Sequence, residues 1–221
     1  MKNISQWLLN LFLQSPCPLC QRPGGEYFCR YCQQQLQSYQ LKNCQEFWEG
    51  DLPLFTWGTY QGSVKQAIAA LKYQNHPELA RPLGTWLGTA WREASPLKHK
   101  CVVVPIPMYL EKQKQRGFNQ AELLAQSFCR ITGYELRSQA LIRVKETKAQ
   151  FSLSVQEREI NLQAAFKLGR EGQDLKHLKR PVLLLDDIYT TGATARAAKE
   201  ILQRSGFNVA GIVALATTKK C

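Results

Sequence analysis

Hydrophobic and polar positions follow two periods along the chain, and the changes of period mark its elements. Apolar residues at Val64, Ala67, Ile68 and Leu71 recur at helical spacing. A second helical stripe runs through Leu79, Leu83, Trp86, Leu87, Ala90 and Trp91. Cys101 to Val104 is a short apolar run ending in Pro105-Ile106-Pro107, which reads as a strand. Ala121, Leu124, Ala125, Phe128 and Ile131 predict a helix stopped by Gly133. Leu141 to Val144 reads as another strand. Val182 to Leu185 is apolar without interruption, as in a strand buried on both faces of a parallel sheet. A helix is predicted from Ala193 to Ser205, closed by Gly206, with a last strand over Val209 to Ala216. Strands that alternate with helices predict an α/β fold with a parallel sheet flanked by helices.

Three segments fall outside this alternation. Residues 52–60 read as an extended connector rich in strand formers. Residues 145–164 are polar and too long for an idle connector, which suggests a functional loop. The start, Met1 to Gln14, carries an apolar patch interrupted by Asn10 and followed at once by Pro16 and Cys17. That pattern argues against a signal peptide and predicts a short amphipathic helix packed on its own protein. No apolar run reaches the ~20 residues of a membrane span. No membrane insertion is therefore expected, and the expected location is the cytoplasm, where cysteines are reduced or metal-bound.

Charge and cysteine divide the chain. The 221 residues hold 29 basic and 17 acidic side chains, a net charge of +12. Residues 1–60 balance Lys2, Arg22, Arg30 and Lys42 against Glu26, Glu46, Glu49 and Asp51, so the surplus lies wholly in residues 61–221. Such a surplus suits phosphate-bearing partners. Five of the eight cysteines (Cys17, Cys20, Cys29, Cys32 and Cys44) sit in the neutral part. The expected division is 1–51, an N-terminal helix and Cys-rich knuckle, and 52–221, an α/β domain. Cys17/Cys20 and Cys29/Cys32 are two C-x₂-C pairs eight residues apart. Two tight turns of this kind complete a tetrahedral thiolate shell, which suits a structural zinc and leaves no open catalytic position. Cys44 stands alone and reads as a spare.

The richest stretch for chemistry is 182–194, where the buried strand ends in Asp186-Asp187 and Thr190-Thr191-Gly192-Ala193-Thr194 opens a helix. Backbone N–H groups of such a turn cradle a phosphate at the positive end of the helix, and Gly192 permits close approach. The two carboxylates stand where they would accept hydrogen bonds from ribose hydroxyls or reach Mg²⁺ through water. A Walker B reading needs a G-x₄-G-K-[ST] partner, and the chain has none. An Asp-x-Asp nucleophile fails because position 188 is Ile. A capping Thr alone leaves both carboxylates unexplained.

Residues 182–194 resemble the signature of type I phosphoribosyltransferases, which bind 5-phosphoribosyl-1-pyrophosphate (PRPP). The whole chain resembles the ComF family (ComFC/GntX-like), through the four cysteines, Leu71-Lys72, Val104 to Pro107, Arg116 to Gln120, Gln150 with Arg158 and Asn161, and the phosphate loop. The resemblance implies a phosphoribosyltransferase-like sheet preceded by a Cys₄ zinc knuckle. It implies pyrophosphate binding by Arg116 and Asn119, the latter also capping the next helix, and a mobile hood at 145–161 with Lys145, Lys148 and Arg158. The implied chemistry is displacement of pyrophosphate at ribose C1, with Mg²⁺ on the leaving group and Asp186 and Asp187 at the reacting sugar. The family's association with natural transformation implies handling of imported single-stranded DNA beside the DNA-uptake machinery. Two functions stay open here: an enzyme acting on an unknown acceptor, and a non-catalytic single-strand binder that reuses the fold, with tryptophans other than Trp86 and Trp91 as stacking surfaces.

Overall fold

Four strands buried on both faces build the centre of the molecule. The computed structural model describes residues 16–94, 96–145, 165–173 and 179–220. The strands are β1 (Leu54–Thr59), β2 (Val102–Pro105), β3 (Glu135–Leu136), β4 (Leu141–Arg143), β5 (Phe166–Leu168), β6 (Val182–Tyr189) and β7 (Val209–Thr217). The helices are α1 (Arg30–Gln37), α2 (Gly62–Tyr73), α3 (Ala80–Ala94), α4 (Leu110–Arg116), α5 (Gln120–Thr132) and α6 (Ala193–Arg204). Five strands form one sheet in the order β1-β7-β6-β2-β3, and every pairing in it is parallel.

Val103, Leu183, Leu185, Val213 and Leu215 face one buried cluster, which holds α2, α3, α5 and the cysteine segment. Val102, Val104, Val182, Leu184, Ile212 and Ala214 face the other, against α6 and the β4–β5 pair. Neighbouring residues of one strand thus enter opposite cores, which explains the unbroken apolar runs. Close packing of α3 on α5 rests on two glycines. A Cβ at Gly84 would lie 2.6 Å from the Leu124 carbonyl oxygen, and one at Gly88 would lie 2.9 Å from Ile131 Cβ.

Two expectations are corrected. The 52–60 segment is no connector: Leu54–Thr59 is the edge strand β1, paired with β7 from Leu54↔Ile212 to Thr59↔Thr217. Its strand formers are buried, Phe55 and Trp57 in one core and Leu54 in the other. The strand at 141–143 exists but pairs antiparallel with β5 outside the main sheet. The expected N-terminal helix lies outside the described residues.

Sheet order places the site. The chain leaves β2 through α4 and α5 towards β3 on one side, and leaves β6 through α6 towards β7 on the other. Between the carboxyl ends of β2 and β6 the connections diverge, and ligands of open α/β sheets bind in such a crevice.

Candidate functional site

A cleft of about 410 Å³ opens at that divergence. Asp186, Asp187 and Ile188 of β6 line it together with Thr190 and Thr194. Opposite stand Ile106 to Met108, which follow β2, with Asn119 and Gln120. Lys72 and Tyr73, the last two residues of α2, close a third side.

The loop 190–194 takes the geometry its residues dictate. Gly192 has φ +77° and stands as the cap residue of the twelve-residue α6, where it offers no side chain to the helix start. Thr191 Oγ1 accepts a long 3.4 Å bond from Ala193 N, and Arg196 donates to the Thr191 carbonyl at 2.9 Å. The Tyr189 carbonyl at the end of β6 is held by the Thr217 hydroxyl at 3.0 Å and by Thr218 N at 3.2 Å. The strand therefore delivers the loop in a fixed place, with the positive end of α6 directed at the crevice.

The carboxylates divide in two. Asp187 is 3% exposed, forms an ion pair with Lys72 through Oδ2, and accepts from Gln120 Nε2 at 3.2 Å through Oδ1. Asp186 accepts from the backbone N of Asp187 at 2.8 Å and lies partly open at the cleft floor. Burial and then the neighbouring Asp187 charge push the Asp186 carboxyl well above its usual range, with Lys72 pulling the other way. Burial alone would push the Lys72 ammonium down, but Asp187 and Asp186 outweigh it and hold it above its ordinary value. Lys72 thus stays charged at neutral pH, a resident cation between the sheet and α2.

Arg116 and Asn119 reach the site differently. Asn119 caps α5, accepting from Ala121 N at 3.1 Å, and its amide donates to the Ile106 carbonyl at 3.1 Å. It pins the two ends of the 106–119 loop together. Arg116 Nη1 donates to Gln120 Oε1 at 2.5 Å, and its guanidinium lies 5.3 Å from the centre of the Tyr73 ring. A polar chain therefore runs from Arg116 through Gln120 and Asp187 to Lys72. Lys145 is exposed just beyond β4. Lys148 and Arg158, with Gln150 and Asn161, lie outside the described residues.

Sequence reasoning quoted Lys72 and Gln120 only as parts of motifs and missed Tyr73. A lysine following the apolar stripe of α2 was the available signal for Lys72. Of the tryptophans offered as stacking surfaces, Trp57 is buried and stacks on Trp86 at 5.6 Å, the partly buried Trp48 meets Trp91 edge-on at 5.3 Å, and Trp7 lies outside the described residues.

The second centre is the cysteine segment. The sulfurs of Cys17, Cys20, Cys29 and Cys32 all lie within 4.8 Å of one another. Cys20 and Cys29 Sγ are 3.5 Å apart, near the ~3.8 Å edge of a tetrahedron with metal–sulfur bonds of ~2.3 Å. Residues 17–21 form a tight turn, with Gln21 N donating to the Cys17 carbonyl at 2.8 Å. Cys29 caps α1 by accepting from Cys32 N at 3.4 Å. That N–H and the nearby thiols bring Cys29 down to about 7 against burial, whereas burial pushes Cys32 up. The four residues can hold one metal ion. Cys44 is not part of the cluster; it is buried, and burial raises its thiol to about 11. The segment is fastened to the body by Phe28, stacked on Trp86 at 5.9 Å.

No helix of the described residues is long and apolar enough to cross a membrane. No family model matches the chain. Competence protein F of Haemophilus influenzae (strain Rd) is 31% identical over 199 residues, covering 86% of this chain and 85% of that protein. Competence protein ComFC of Bacillus subtilis (strain 168) is 27% identical over 198 residues, covering 86% and 72%. DNA utilization protein YhgH of Escherichia coli (strain K12) is 28% identical over 195 residues, covering 86% and 78%. Among solved structures, TT1426 from Thermus thermophilus superposes with a TM-score of 0.36 at 17% identity, over 64% of this chain and 85% of that one.

Proposed function

The chain belongs to the ComF family, and on that premise we propose that it binds PRPP in the cleft between β2 and β6 and acts in the use of DNA taken up during competence. One observation carries the reading. The start of α6 behind a left-handed Gly192, two carboxylates, and the polar Asn119 and Gln120 after β2 meet at one crevice at the divergence of the sheet, with Arg116 joined to it through Gln120. The 5′-phosphate is assigned to Thr190, Thr191, Gly192, Ala193 and Thr194, where N–H groups and hydroxyls converge. Asp186, the carboxylate facing the cleft, takes the ribose hydroxyls. Asp187 sets the position of Asp186 and of Lys72 rather than standing open to ligand, since both its oxygens are engaged within the protein.

The pyrophosphate belongs on the opposite wall. Arg116 leaves Gln120 to fork onto its oxygens, and Asn119 fixes the loop that carries Arg116. Mg²⁺, bound with PRPP, would be reached through Asp186 and would neutralise charge on the leaving group. The residues fit this ion through one cleft-facing carboxylate, while Lys72 already neutralises the other. Lys145, exposed just beyond β4, is the one member of the inferred hood among the described residues. The protein's part in transfer at C1 is then positioning and charge stabilisation. The four thiols fit zinc by donor type and spacing, and we assign the ion a structural role that fixes the knuckle on Trp86.

Labelled PRPP with Mg²⁺ and candidate acceptors tests the catalytic part. Release of pyrophosphate above the buffer rate supports a transferase. Saturable PRPP binding with no release under any acceptor would leave the second reading, a single-strand binder that reuses the site.

A further inference from the structure

The cleft wall holds a base that the phosphate reading leaves unused. Among the described residues that line the cleft, the bases are Lys72 and Arg143. Lys72 is paired with Asp187, so its charge balances a carboxylate of the protein. Arg116 is joined to the cleft through Gln120. Arg143 lines it directly.

Three contacts fix its place. Arg143 is the last residue of β4 and pairs with Phe166 of β5 across the two strands. Its backbone also bridges in parallel to Tyr109, which follows the cleft residues Ile106, Pro107 and Met108. The guanidinium lies 5.5 Å from the centre of the Phe166 ring, and Phe166 belongs to the buried cluster that holds Ile106 and Tyr189. The Arg143 Nε is itself buried. Register, bridge and ring therefore set the guanidinium before any ligand arrives, and a pre-set planar fork loses little freedom on binding.

We propose that Arg143 is a specificity-determining residue of the cleft: its guanidinium forks onto the diphosphate end of the ligand and so selects a sugar phosphate that carries a diphosphate over one that does not. The proposal rests on the PRPP reading and deepens it. Two N–H groups of a guanidinium match two phosphoryl oxygens, which the point charge of a lysine does not. The bridge to Tyr109 ties Arg143 to the loop after β2, the wall assigned to pyrophosphate.

The test is calorimetric titration of the intact protein with PRPP and with ribose 5-phosphate, each with Mg²⁺, comparing the parent with Arg143→Met and Arg143→Lys. The parent should prefer PRPP. Arg143→Met should weaken PRPP about 10-fold to 100-fold, the range of one lost charge-assisted pair. Ribose 5-phosphate, which has no diphosphate, should bind parent and variant equally. Arg143→Lys should recover only part of the loss, since the charge returns without the fork. Because Nε is buried, melting temperatures are taken alongside, and Arg143→Lys carries the same comparison if Arg143→Met does not fold. Unchanged PRPP affinity in a folded variant would overturn the proposal, as would an equal loss for both compounds or full affinity in Arg143→Lys. A parent that binds neither compound overturns the cleft reading and this proposal with it. PRPP binding by the parent that survives both substitutions overturns this proposal alone.

Discussion

Replacing Lys72 by Met exposes how the cleft is held together. The two side chains of the Lys72–Asp187 pair are 16% and 4% exposed, so neither charge is well hydrated. Removing Lys72 leaves Asp187 buried beside Asp186 with only the Gln120 amide in support. Breaking a buried pair from one side costs about 3–5 kcal/mol, and the remaining Gln120 bond places this case near 3. For a protein of this size that is a fall of about 6–12 °C in Tm. In urea the midpoint should drop by about 1–1.5 M for an m of 2–3 kcal/mol/M. The double variant Lys72→Met/Asp187→Asn should recover most of the loss, because it removes the stranded charge. Urea unfolding of the four proteins at pH 7, at low and high salt, makes the measurement. A loss under about 1 kcal/mol for Lys72→Met, the range of exposed pairs, would refute the reasoning. Strictly additive single losses in the double variant would refute it equally.

Zinc should be found at one ion per chain. Cys17→Ser/Cys20→Ser should abolish it and shift the fluorescence of Trp86, which Phe28 and Trp57 sandwich; full retained zinc would place the ligands elsewhere. Asp186→Asn should raise stability at pH 7. The folded carboxyl sits above its unfolded value, so both states are protonated below about pH 4 and the native state loses stability as pH rises past that point. The gap between variant and parent should therefore close below pH 4 in thermal melts, and a gap that widens there would contradict the assignment. Gly84→Ala should cost about 1–3 kcal/mol, since its Cβ would meet the Leu124 carbonyl at 2.6 Å and Ser127 Cβ at 2.7 Å. An unchanged unfolding midpoint would show that α3 and α5 separate freely.

What could be read in the sequence was local. The Asp-Asp and Thr-Thr-Gly-Ala-Thr run lies within one strand–turn–helix, so its chemistry follows from neighbours in the chain. The cysteine pairs are likewise self-contained, and their spacing alone brings four thiols together. Distant pairing hid the rest. β1 looked like a connector because its partner β7 lies more than 150 residues onward. β4 found β5 only across the long polar stretch, where no strand signal announced a partner. Lys72, Gln120 and Tyr73 join the site because α2 ends over the carboxyl end of β6, a placement that no local pattern carries. Asn119 was expected to cap the next helix, and it does; its second bond, to Ile106, needed the loop to close.

The central claim is that the crevice between β2 and β6 holds a phosphorylated ribose. Isothermal titration with PRPP and Mg²⁺ addresses it most directly, comparing the parent protein with Asp186→Asn/Asp187→Asn. Saturable binding at one PRPP per chain is expected in the parent and none in the variant. No binding to the folded parent, or the same affinity in both proteins, would contradict it.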